Sequence, residues 1–184
     1  EALGQSPKYA HVPTALMRAI IAALTPLGVV SPKLRSKAEL VRIGQAVRDG
    51  SLAANPALNG LGDRLLASGG SLHLIGLCSD GGVHSHVDHL GGLLQWAAGR
   101  GITDVCIHVI TDGRDTSPTG GKKYIETVED ELAKVGARVA TVIGRYYAMD
   151  RDRRWERTQL AWDAIVDGKG EKRQILASEA VAEM

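Results

Sequence analysis

Phenylalanine is absent from this chain of 184 residues, and aromatic side chains make up only 4% of it. A core must therefore be assembled mainly from Leu, Ile, Val and Ala. Cysteine is nearly as scarce: Cys78 and Cys106 each sit inside an apolar run. Two cysteines do not make a disulfide framework, so buried free thiols in a reducing, cytoplasmic setting are expected. Net charge is also lacking, at +1 near neutrality, and no overall field argues for nucleic acid or a membrane surface. No long hydrophobic run is present. The segment 15–30 is fairly apolar, but Arg18 interrupts it and it is too short to span a bilayer. No secretory signal is evident. The remaining composition, 44% hydrophobic and 23% charged, is that of an ordinary globular chain able to bury one sizeable core.

The first 35 residues read differently from the rest. "TALMRAIIAALTPLG" has helical character, with Leu16, Ile20, Ile21 and Leu24 near one face and Pro26 as a stop. "VVSPKLR" reads as a connector. "SKAELVRIGQAVRDG" is a helix in which Ser36 can cap, Glu39 completes a capping box and Gly50 follows the end. "SLAANPALNGLGDRLLASGG" gives a turn and a further short helix. A regular alternation follows: strand 71–79, helix 87–101, strand 103–111, helix 120–136, strand 137–145 and helix 153–168. Short links between alternating strands and helices predict an α/β fold, a three-layer sandwich with a mainly parallel sheet covered by helices.

The polar residues collect where each strand ends, in "CSDGGVHSH", "ITDGRDTSP" and "GRYYAMDRD". Ligands of open α/β sheets bind beyond the carboxyl ends of the strands. These three loops offer Asp80, His84, His86, Asp112, Arg114, Asp115, Arg145, Asp150 and Arg151. Guanidinium groups grip carboxylate and phosphate through paired hydrogen bonds. Three arginines converging with a histidine fit a small ligand carrying two anionic groups, and Asp115 among them could take a proton from, or hydrogen-bond, a ligand hydroxyl. The competing reading is surface ion pairing, of Arg114 with Asp112 and of Arg151 with Asp150 or Asp152. Farther on, Arg153, Arg154 and Arg157 read as a solvated helix face with Glu156, while Trp155 and Trp162 pack.

One stretch, "SDGGVHSHVDHLGG", spells H-x-H-x-D-H at His84, His86, Asp88 and His89. That spacing serves metal-dependent hydrolases, where histidines hold zinc and a carboxylate helps activate water. The further ligands such a site needs are absent: the one later histidine, His108, lies within the apolar run "VCIHVIT". The alternative divides the stretch. Gly81 and Gly82 make a tight turn, His84 faces an anion, and Asp88 and His89 fall in the first turn of a helix.

The segments "LIGLCSDGGVHSHVDHL", "VITDGRDTSPTGG" and "GRYYAMDRDRRWERTQLAWDAIVDGKGE" resemble the cofactor-independent (2,3-bisphosphoglycerate-independent) phosphoglycerate mutases. The resemblance covers about 36–184 and is strongest over 71–171. It implies the substrate-binding, or phosphotransferase, domain of a two-domain isomerase of glycolysis and gluconeogenesis. The other domain would be phosphatase-like, with two divalent metals, commonly manganese, and a transiently phosphorylated serine. On this resemblance His84, Arg114, Asp115, Arg145 and Arg151 hold phosphoglycerate, with Asp115 in a catalytic role, and no metal or cofactor belongs to this part of the chain. The phosphatase-like half and a later arginine-rich motif are not found, and residues 1–35 diverge. The expectation is then a partial domain at 36–184 that binds phosphoglycerate weakly, does not turn it over, and could dimerise. A metal-dependent hydrolase and a non-catalytic anion- or partner-binding module are the alternatives.

Overall fold

A computed structural model describes residues 32–172 and 175–182. Helix α1 spans Pro32–Arg48, a 3-10 turn spans Ser51–Ala54, and α2 spans Pro56–Ser68. Strand β1 (Leu72–Cys78), helix α3 (Val87–Gly99), strand β2 (Val105–Thr111), helix α4 (Gly121–Val135) and strand β3 (Arg138–Gly144) then alternate. A single turn, α5 (Arg145–Ala148), leads to α6 (Trp155–Ile165) and α7 (Ala177–Ala182). The strands pair in parallel in the order β1-β2-β3. The expected α/β alternation is therefore present, and each strand falls inside its expected segment.

Two local expectations change. Ser36 does not cap its helix, because α1 begins a turn earlier and contains Ser36. Pro32 opens it instead. A proline is tolerated in a first turn, where its missing N–H has no intrahelical partner. The last residues of the expected connector are thus helical. Residues 145–148, read as loop, form the turn α5. The helix expected around Leu16 to Leu24 lies outside the described residues. Elsewhere the end signals work as read. Asn55 caps α2, its side-chain oxygen accepting from the N–H groups of Ala57 (2.9 Å) and Leu58 (3.1 Å). Gly69 closes that helix in a left-handed conformation at φ 65°.

The core lies on one face of the sheet. Parallel strands joined through helices take right-handed crossovers, so α3 and α4 pack on the same side when the strand order is sequential. Val105, Ile107 and Val109 of β2 meet Leu94 and Ala97 of α3 and Ile125, Val128 and Leu132 of α4, all at most 4% exposed. β2 is rich in β-branched residues, which suits a central strand buried on both faces. The core is aliphatic as expected, with one ring added. Trp96 packs there and donates from Nε1 to the Asn59 side chain at 3.2 Å, joining α3 to α2.

The opposite face of β2 carries Cys106, His108 and Ile110, all buried. His108 is a strand residue, not a ligand. Its Nε2 meets His73 Nδ1 at 2.9 Å and its Nδ1 meets the Thr141 hydroxyl at 2.9 Å. A one-residue irregularity at Ala140 brings Thr141 opposite it. Burial, reinforced by neighbouring His73, pulls the His108 pKa below the usual imidazole range. Both cysteines are free and buried, and burial pushes the Cys78 thiol up to about 12. Among the described residues no helix is long and apolar enough to cross a membrane.

Adjacent glycines in α3 offer a matched test of the α1–α3 contact. A Cβ at Gly92 would lie 2.6 Å from Val47 of α1, whereas a Cβ at Gly91 meets nothing within 4 Å. Gly92→Ala should lower unfolding free energy by about 1–3 kcal/mol, as overpacking does. Gly91→Ala should be neutral or raise it by up to about 1 kcal/mol through helix propensity. Urea titration of the two variants measures the difference.

Candidate anion-binding site

The three strands end flush: Cys78 is opposite Thr111, and Thr111 is opposite Gly144. The next residues of the three strands, Ser79, Asp112 and Arg145, consequently stand side by side. Their side chains join. The Ser79 hydroxyl donates to Asp112 Oδ2 at 2.6 Å, and Arg145 Nη1 donates to Asp112 Oδ1 at 2.6 Å. The Asp112 carboxylate also accepts from the N–H groups of Arg114 and Asp115, each at 3.1 Å. Only 3% of its side chain is exposed. Burial alone would raise its pKa. The Ser79 hydroxyl, the N–H of Asp115, the Arg145 guanidinium and the N–H of Arg114 outweigh that and hold it at about 2. Asp112 thus stays ionised and fixes the shape of "DGRD".

Arg145 Nη1 also donates to Asp115 Oδ2 at 2.7 Å, and that same oxygen lies 3.7 Å from His84 Nε2. The structure therefore brings together three of the five expected residues: His84, Asp115 and Arg145. Burial works against the charge on Arg145, but Asp115 and Asp112 prevail and its pKa is raised. Both bonds use Nη1. Arg114, in the loop after β2, and Arg151, after β3, have exposed side chains and no ion pair among the described residues. Their expected pairing with neighbouring aspartates is not seen. Asp112 takes Arg145, and Asp150 takes Arg157 at 3.2 Å.

The loop carrying His84 is pinned at both ends. Ser85 donates from its hydroxyl to the Leu77 carbonyl at 2.6 Å, and Val87 N–H donates to the Ser79 carbonyl at 2.9 Å. The Tyr124 hydroxyl of α4 donates to Asp80 in the same loop. The two glycines have separate reasons. Gly82 takes a positive φ of 63°, as the tight-turn reading requires. Gly81 gives clearance: a Cβ there would lie 3.1 Å from the Asp115 Cβ and 3.2 Å from its carbonyl oxygen. Two loops meet because one of them has no side chain at that point.

The H-x-H-x-D-H motif is divided. His84 faces Asp115, while His86 caps α3, its Nδ1 accepting from the Asp88 N–H at 3.2 Å. Asp88 sits in the first turn of α3 with its carboxylate exposed. His89 turns toward α1, where a Cβ on Gly44 would lie 3.4 Å from its Nε2. Among the described residues no three or more His, Cys, Asp or Glu side chains stand close enough to share a metal ion. The solvated-face reading of 153–157 also needs correction. Trp155 is 47% exposed, whereas Arg157 is half-covered by its pair with Asp150 and by the Tyr146 ring. Sequence reasoning missed Ser79, Tyr124 and Arg157 as contributors. Only the position of Ser79, directly after a strand and level with Asp112, could have pointed to any of them.

Comparisons with known proteins identify the family. Residues 43–184 match the family model described as BPG-independent PGAM N-terminus. The chain is similar to a 2,3-bisphosphoglycerate-independent phosphoglycerate mutase of Akkermansia muciniphila, 52% identical over 134 residues, covering 73% of this chain and 26% of that protein. It is similar to one of Synechococcus elongatus, 56% identical over 134 residues, covering 72% of this chain and 25% of that protein. Among solved structures it is similar to Leishmania mexicana phosphoglycerate mutase crystallised at low cobalt concentration. There the TM-score is 0.72 and the identity 30%, covering 80% of this chain and 28% of that one. The chain spans about a quarter of the length of these relatives.

The depressed pKa of Asp112 has a measurable consequence. Its contribution to stability is complete above the unfolded carboxylate value near pH 4 and is lost as the pH falls through about 2. The shift corresponds to about 2 kcal/mol. Asp112→Asn should cost about 2–3 kcal/mol at pH 7, because Arg145 loses a buried partner. It should also flatten the acid limb of stability against pH. Urea unfolding between pH 7 and pH 2.5 checks both outcomes, and an unchanged acid limb would assign that limb to other carboxylates.

Proposed function

From a chain that belongs to the 2,3-bisphosphoglycerate-independent phosphoglycerate mutase family, we propose a module that holds phosphoglycerate while its phosphoryl group moves. The observation that carries this reading is the meeting of His84, Asp115 and Arg145 above flush strand ends, with Arg114 and Arg151 exposed on the same loops and without an ion pair among the described residues. Asp112, Asp115 and Arg145 together carry more negative than positive charge. The two unpaired arginines are what make this end of the sheet attractive to an anion. Phosphoglycerate presents a carboxylate and a phosphate, and the planar, multidentate guanidinium matches both.

Phosphoryl transfer depends mainly on positioning and charge neutralisation, which these residues supply. In the proposed reaction, the phosphoryl group of 3-phosphoglycerate passes from its 3-oxygen to a serine oxygen outside this chain. It then returns to the 2-oxygen, giving 2-phosphoglycerate. The bound glycerate must be kept between the two steps, a task for Arg114, Arg145 and Arg151. Asp115 gives a proton to the leaving 3-oxygen in the first step and takes one from the attacking 2-hydroxyl in the second, while Arg145 holds its Oδ2. His84 donates a hydrogen bond to the phosphate. Two divalent metals, manganese by family resemblance, would steady the serine and the phosphoryl oxygens. The described residues do not fit such a metal pair, so it is assigned to the rest of the enzyme. The setting is glycolysis and gluconeogenesis, and two buried free thiols suit a cytoplasmic location.

Titration calorimetry with 3-phosphoglycerate tests this reading. Saturable, salt-sensitive binding is expected. Arg114→Ala should weaken it about tenfold, the worth of one charge-assisted contact. The Arg114→Ala, Arg151→Ala double variant should abolish it. Binding that ignores both arginines would overturn the assignment. In the complete two-domain enzyme, Asp115→Asn should lower kcat far more than it raises KM.

A further inference from the structure

The turn that carries Arg151 has an unusual backbone. Among the described residues, Arg153 is the one non-glycine with a positive φ, at 61°. Such a conformation is strained for a residue with a Cβ and persists only where its surroundings impose it. The surroundings here are specific. The Asp150 carboxylate, 3% exposed, accepts from the N–H of Asp152 at 3.1 Å and from the N–H of Arg154 at 2.8 Å. It therefore closes the turn from inside, bonding to the residues on both sides of Arg153. Its second oxygen accepts from Arg157 Nη1 at 3.2 Å. The Arg157 guanidinium is in turn centred 3.9 Å from the Tyr146 ring, on the short helix that directly follows β3. Tyr146 meets Tyr147 edge to face, with centroids 5.2 Å apart.

This chain of contacts runs from the end of β3, through Tyr146 and Arg157, to Asp150 and the strained turn. Arg145, one residue before Tyr146, is already fixed by Asp112 and Asp115. Arg151 is left exposed, with its own side chain unspent. We infer that Arg157, with Asp150, is a positioning residue: it presets the Arg151 turn, in fixed relation to Arg145, for the anion. The inference rests on the reading of the strand ends as a phosphoglycerate site. Arg157 itself touches no ligand in this scheme. It removes the cost of ordering the turn when the ligand arrives.

A double-mutant cycle tests it, using the whole chain and 3-phosphoglycerate as the probe. Arg157→Met keeps the packing stem and loses the fork. It should weaken binding about tenfold when Arg151 is present and hardly at all in an Arg151→Ala background, because a positioning residue acts through its target. Arg157→Lys should restore part of the loss. Amide exchange at Asp152 and Arg154 should quicken in Arg157→Met while β2 amides stay protected. Should that variant not fold, Tyr146→Leu removes the ring beneath the guanidinium, and the same cycle is run on it. An equal loss with and without Arg151, or no loss at all, overturns the inference while leaving the site intact. No binding by the unsubstituted chain overturns the functional reading, and this inference with it.

Discussion

The Asp112 carboxylate is the point on which the site depends. It accepts from Ser79 at the end of β1, from two N–H groups of its own loop, and from Arg145 at the end of β3. That reach is possible because the three strands terminate at one level. A one-residue difference in strand length would carry Ser79 or Arg145 out of range. Parallel pairing does the coarse alignment, and a single buried carboxylate converts it into a rigid row of side chains.

The construction is economical in charge. A bare group of arginines would repel itself and fold poorly, whereas here one arginine is tied between two aspartates and two are left outside. In the proposed reading Arg145 serves the fold and the ligand together, and Arg114 and Arg151 serve the ligand. An anion can arrive without taking the fold's own ion pair apart.

Much of this was legible in the sequence. The α/β alternation followed from hydrophobic runs of strand and helix length separated by glycine-rich links. The location of the site followed from charged residues gathering after each of the three strands. Within those loops it was the family resemblance, not spacing, that singled out His84, Asp115 and Arg145. Which arginine pairs with which aspartate could not be read, since neighbours along the chain are the obvious partners and parallel pairing brings others closer. Asp112 met Arg145 across the sheet instead of Arg114 beside it. Arg157 looked like part of a solvated helix face because it runs with Arg153, Arg154 and Glu156 in one charged stretch, and nothing in that pattern shows a tyrosine eleven residues back lying under it. Gly81 signalled a turn, and its service as clearance for another loop depends on a tertiary contact.

The sequential order β1-β2-β3 also bears on how the site comes into being. Every strand pairs with its immediate neighbour along the chain, and every group bonded to Asp112 lies between Ser79 and Arg145. The contacts to Asp112 span at most 33 residues, and shorter loops cost less entropy to close. The row of side chains can therefore assemble during synthesis, as soon as β3 has emerged, without waiting for residues farther along. The Asp112 row is a contiguous cassette, whereas Arg151 and the turn that carries it come later in the chain.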